Sequence, residues 1–156
     1  MSIETVKQYF ADKSLPLEVI EFKTSTATVS LAARALGVEP ARIAKTMALR
    51  LKDRDILILA KGDVRLDNKK FKDYFAEKAK FIKIEDVENA TGHPVGGVCP
   101  FGLIKPLQVY LDESLQVFDY VYPAGGGPNT AVKIDVDFLE KVTNGIFIDV
   151  CSSTDI

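Results

Sequence analysis

At 156 residues, with hydrophobic residues at 47% and charged residues at 27%, the chain has the size and balance of one globular domain and no signature of disorder. A formal charge of −2 argues against a protein that coats nucleic acid non-specifically, and two cysteines with a single histidine make neither a disulfide framework nor a His/Cys zinc cluster. The expectation is one domain over residues 1–156, cytoplasmic, with free thiols and no metal or cofactor; the longest apolar runs, such as 56–60, are too short to span a bilayer.

In chain order, Ser2 is placed to cap a helix whose Ile3, Val6 and Phe10 recur at helical spacing, ending before Leu15-Pro16. Residues 17–22 read as a strand, 24–28 as a polar connector, and an Ala/Leu-rich helix closed by Gly37 follows, with Pro40 opening one more helical turn. The next strand sets Lys45, Met47, Leu49 and Leu51 on one face and Thr46, Ala48, Arg50 and Lys52 on the other. Lys45 therefore shares the core-directed face and stands at its rim. A turn at Asp53-Arg54 joins it to the strand 56–60.

Between residues 61 and 83 there are eight basic and four acidic side chains, a local excess that suits either a footprint for phosphates or a solvated helix face. Asp67 caps a helix through Phe71, Tyr74 and Phe75; a short strand at 81–84 and a helical turn from Glu85 come next. Strands are expected at 107–111 and 117–122, joined by a turn at 112–114, and again at 130–134 and 146–150, with a helix over 135–142. The irregular alternation predicts an α+β domain: a mixed, largely antiparallel sheet with flanking helices.

Two stretches stand outside this pattern. Residues 91–103 hold four glycines and two prolines in thirteen positions, which excludes a regular element and predicts a shaped, packed loop whose free main-chain N–H groups could form an oxyanion site. Residues 123–129, with Gly125, Gly126, Gly127 and Asn129, form a loop longer than a hairpin requires, as if its extra length lined a site.

Taken together, Ala44-Lys45-Thr46 at a strand start, the Gly-x-x-x-Pro loop from Gly96 to Pro100, and the later Gly-Gly-Gly loop before Asn129 resemble the YbaK/ProX family, aminoacyl-tRNA deacylases related to the editing domain of bacterial prolyl-tRNA synthetase. The resemblance spans nearly the whole chain and implies a partly barrel-like sheet. It also implies hydrolysis of the ester joining a wrong amino acid to tRNA, with tRNA(Pro) carrying a small non-cognate residue as the substrate. Lys45 and Gly96 match the catalytic positions. Phe22, Gly97, Pro100, Gly125, Gly126 and Asn129 are the implied substrate-binding residues. The implied partners are the acceptor end of aminoacyl-tRNA and prolyl-tRNA synthetase; no membrane partner is implied.

Ester hydrolysis builds negative charge on the carbonyl oxygen, so amides around Gly96 and Gly97 suit the task, while Lys45 anchors phosphate or the polarised ester. The motifs contain no evident general base, and the resemblance implies assistance from a tRNA ribose hydroxyl. Cys99 and His93 offer a thiol nucleophile with its base, against a buried thiol and a loop-shaping histidine, the reading preferred here. The alternative to an enzyme is a non-catalytic module binding tRNA or a synthetase; Lys45 together with both loop glycines argues against it.

Overall fold

The computed structural model describes residues 2–153. Its centre is a four-stranded sheet in the order β2-β3-β5-β9, formed by β2 (Ala44–Arg50), β3 (Asp55–Lys61), β5 (Gln108–Asp112) and β9 (Ile146–Ile148). β2 and β3 form the expected antiparallel hairpin, whereas β3–β5 and β5–β9 are parallel. Three short antiparallel pairs surround the sheet: β1 (Ile20–Glu21) with β7 (Thr130–Ala131), β4 (Val64–Leu66) with β10 (Cys151–Ser153), and β6 (Tyr120–Val121) with β8 (Ile134–Asp135). Pairing is thus mixed and mostly antiparallel, and the strands among the described residues do not close into a barrel.

β3 shows why the sheet lies at the centre. Ile56 through Ala60 are all fully buried, so neither face meets water. Leu57 and Leu59 join a large core with Val6 and Phe10 of α1 (Ser2–Asp12), Val87 and Ala90 of α4 (Ile84–Thr91), and Val136 and Leu139 of α5 (Val136–Thr143). Ile56, Ile58 and Ala60 face a second core with Phe71 of α3 (Asn68–Phe75), Val150 and Cys151. Each large aliphatic side chain so buried contributes roughly 1.5–3 kcal/mol. β2 divides the same way: Leu49, with Leu51 just beyond the strand, enters the second core and Ala44 and Ala48 the first. The face expected to carry the outward residues of β2 is therefore also covered, because α4 and the glycine loop pack over it.

Helix ends follow their local chemistry. Thr28 accepts from the Leu31 amide at the start of α2 (Val29–Leu36), and Asp67 accepts from the Lys70 amide at the start of α3. Several expected strands are shorter. Of 17–22 only Ile20–Glu21 forms a strand, and 81–84 contributes a single bridge, Leu49 to Phe81, before α4 begins. The stretch 117–122 starts inside a 3-10 turn (Glu113–Val117), held by Asp112 accepting from the Ser114 amide, so only Tyr120–Val121 forms a strand, with Tyr122 adding a bridge to Ile43. The predicted strand 130–134 splits, since β7 leans on β1 and β8 on β6.

Candidate functional site

A cavity of about 280 Å³ opens between the first-core face of β2 and the loop after α4. Its floor is Ala44, Thr46 and Ala48, its roof Gly96 and Val98, and its rim Phe81, Ile84 and Val95. The three rim residues are exposed hydrophobics, at 55%, 74% and 53%. Lys45 and Tyr122 are the only residues of ionisable type lining the cavity among the described residues, and the Lys45 ammonium turns to the other face of β2; no Asp, Glu, His or Cys lines it.

The glycine-rich loop is built from its anchors upward. Gly92 ends α4 in the left-handed conformation, and the Ile104 amide donates to the Thr91 carbonyl to close the loop. His93, fully buried, fixes the interior: its Nε2–H donates to the Phe101 carbonyl at 2.7 Å, which leaves Nδ1 to accept from the Ser2 hydroxyl of α1. Gly96 has φ +89, and a Cβ there would stand 2.9 Å from the Cβ of Ala27. Gly97 lies back to back with the second glycine loop, where a Cβ would be 2.6 Å from Gly127 Cα. Both positions require glycine, one for its conformation and the other for close backbone approach.

The sequence-derived residues do not all meet here. Lys45 and Gly96 share the cavity wall. The Lys45 ammonium donates to the Val64 carbonyl of β4, and burial pulls its pKa below the ordinary lysine value. The Gly97 amide donates to Pro94, so it is engaged within the loop, whereas the amides of Gly96 and Val98 have no intramolecular acceptor among the described residues. Pro100 is buried behind the loop, outside the lining. Phe22 and Asn129 pair with each other, Phe22 N–H to Asn129 O at 2.8 Å and Asn129 Nδ2 to Phe22 O at 3.0 Å, also outside it.

Gly125 and Gly126 belong to a buckle around Thr130. The Thr130 hydroxyl accepts from the Gly125 amide at 2.9 Å and donates to the Gly127 carbonyl at 2.8 Å, and the loop packs on α1, with Gly127 against Ile3. The second loop's length thus serves to clasp α1 and the first loop together; its flanks, Ala124 and Thr130, reach the cavity and its tip does not. Sequence reasoning missed Thr46 and Thr130. The available signal was a threonine on an otherwise small, apolar strand face and another directly after a glycine loop.

The Cys99–His93 pair is close but unsuited to nucleophilic chemistry. Sγ lies 3.5 Å from Nε2, yet the thiol is fully buried and burial pushes its pKa up to about 12, so thiolate is scarce at neutral pH. Cys99→Ser should leave hydrolysis of the aminoacyl ester that the resemblance implies within about twofold of wild type, because the group neither reaches the cavity nor ionises; a loss of two orders of magnitude in that assay would restore the thiol mechanism.

His93 carries a stability prediction instead. Desolvation lowers its folded pKa below 6.5, so the unfolded chain takes up the proton first. Its contribution is complete above that unfolded value and is lost as pH falls below it, until the folded imidazole also protonates. His93→Gln can retain both hydrogen bonds without titrating, so the unfolding midpoint of the variant should decline less than that of wild type between about pH 7 and pH 5. Parallel declines in a thermal or urea melt would show that His93 is not the titrating group.

The fold and site define an α+β domain with a small, apolar-walled cavity bounded by a strand edge and a glycine loop. The family profile of the aminoacyl-tRNA editing domain matches residues 23–142, and the chain belongs to that family. The chain is 42% identical over 153 residues to the uncharacterized protein YwhH of Bacillus subtilis, covering 97% of this chain and 98% of that one. It is 32% identical over 89 residues to proline–tRNA ligase of Bacillus licheniformis, covering 56% of this chain but only 16% of the ligase. Among solved structures, a candidate trans-editing enzyme for prolyl tRNA synthetase superposes with a TM-score of 0.90 at 30% identity, covering 97% of this chain and 98% of that one.

Proposed function

We propose that the protein is an aminoacyl-tRNA deacylase that removes a small non-cognate amino acid from tRNA(Pro), acting in trans. Water adds to the acyl carbon and the ester bond to the terminal ribose breaks. The proton lost by water ends on the ribose oxygen, and free amino acid leaves. The observation that carries this reading is a cavity of about 280 Å³ walled by the Gly96 loop, whose Gly96 and Val98 amides are free, and by β2 from Ala44 to Ala48, with no Asp, Glu, His or Cys lining it among the described residues. That size lies just below the small end of ligand pockets and fits an aminoacyl group better than a nucleotide.

In this reading the Gly96 and Val98 amides face the acyl oxygen as it gains charge, Lys45 exchanges its bond to Val64 for the substrate, and a substrate hydroxyl positions the water. The acceptor end approaches over the exposed rim. Phe81 offers a stacking surface there, and Lys78, Lys80 and Lys83, none in an ion pair among the described residues, offer charge to the phosphates. Elsewhere in this basic segment Lys69 and Lys70 are paired, with Asp73 and Asp149.

The test is deacylation of tRNA(Pro) charged in turn with Ala, Cys, Ser and Pro. Rapid loss of one non-cognate ester with Pro-tRNA(Pro) spared is the expected result. Binding of charged tRNA without hydrolysis of any ester would favour the non-catalytic module.

A further inference from the structure

The outer edge of β2, the one turned away from β3, is covered at both ends and open between them. At its start the Ala44 amide donates to the Tyr122 carbonyl at 3.1 Å, and the Tyr122 amide to the Arg42 carbonyl at 2.9 Å. At its end the Ile82 amide donates to the Ala48 carbonyl at 3.0 Å, and the Arg50 amide to the Lys80 carbonyl at 2.8 Å. Main-chain groups of successive strand residues point to alternate edges, so residues 44, 46, 48 and 50 address this one. Thr46 is the member of that set without a main-chain partner there among the described residues.

The side chain adds to the pattern. Thr46 Oγ1 is buried, lies in the cavity wall, and is the one buried side-chain polar atom without a hydrogen-bond partner among the described residues. Buried polar groups are nearly always paired, and an exception in a pocket calls for a functional explanation. One residue thus presents an amide donor, a carbonyl acceptor and a hydroxyl, between the flanking segments at Tyr122 and Ile82. An α-amino acid offers the complementary set, an ammonium and a carbonyl separated as in a single strand residue.

We propose that Thr46 binds the aminoacyl group as a one-residue rung on the β2 edge. Its carbonyl and hydroxyl accept from the α-ammonium, and its amide donates to the acyl oxygen from the floor of the cavity, opposite the Gly96 loop. The contact reads the backbone shared by all amino acids, so it supplies orientation and requires a free α-amino group; choice among side chains falls to the cavity walls. This inference rests on the deacylase reading above.

The experiment compares hydrolysis of an aminoacyl-tRNA with that of the hydroxyacyl-tRNA obtained from it by nitrous acid, using wild type, Thr46→Val and Thr46→Ser. Valine keeps the branched shape and loses the hydroxyl; serine keeps the hydroxyl. Wild type should prefer the aminoacyl ester by roughly tenfold or more in kcat/KM, mainly through KM, as expected for a lost hydrogen bond to a charged group. Thr46→Val should narrow that preference and Thr46→Ser should retain it, with unchanged melting behaviour showing that each variant folds. Equal wild-type rates on both esters, or an undiminished preference in Thr46→Val, would overturn the assignment while leaving the deacylase intact. Absence of wild-type hydrolysis on every ester would remove both.

Discussion

Lys45→Ala should lower aminoacyl-tRNA hydrolysis by on the order of 10²–10³, the usual cost of removing one preorganised electrostatic contact at a developing charge. The residue stands in the cavity wall at the start of β2 and is the only Lys or Arg lining the cavity among the described residues, although its side chain leaves the strand on the opposite face, toward Val64. In the unliganded arrangement that charge is held by the Val64 carbonyl, so a structural role must be separated from a catalytic one. Loss of that single bond costs about 1 kcal/mol of stability, a small shift in melting temperature. A large fall in single-turnover rate with a small thermal shift therefore marks the substrate role. Near wild-type turnover would refute it. Because burial favours the neutral amine, activity should also decline with rising pH below the ordinary lysine value of 10.5, as the ammonium is lost.

Gly96→Val should be comparably damaging, with a rate loss of about 10² or more, for steric and conformational reasons together. At φ +89 a β-branched residue is strained, and its Cβ would press on Ala27 at 2.9 Å and Pro128 at 3.4 Å. Relief requires the loop to move, which displaces the Gly96 and Val98 amides and fills the cavity mouth. Gly96→Ala carries the same backbone strain with less bulk and should fall between valine and wild type. Single-turnover hydrolysis across the three residues checks the order, and equal rates would show that the loop does not shape the reaction.

The contrast between these two positions and the other candidates shows what a sequence can carry. Lys45 and Gly96 were singled out through the resemblance, and both line the cavity; what the residues alone showed was local, a lysine at a strand start and a loop whose backbone only glycine adopts readily. Phe22, Asn129, Gly125 and Gly126 stood near the right motifs, but their partners are remote in sequence. Asn129 meets Phe22 across 107 positions, and Gly126 meets Ser2 of α1. No local pattern distinguishes a loop that lines a cavity from one that clasps two elements.

By itself, the sequence determined the helix caps at Thr28 and Asp67, the left-handed ends at Gly37 and Gly92, the β2–β3 hairpin, and a glycine loop unable to become regular structure. Each of these follows from the conformational preferences of a few adjacent residues. Tertiary structure alone decided the parallel placement of β5 and β9, the burial of both faces of β2, the buckle at Thr130 and the open edge at Thr46. Those features depend on which distant segments flank a strand. Residues 80–82 and Tyr122 cover the β2 edge on either side of Thr46, and only their meeting there makes an ordinary strand threonine an unpaired one.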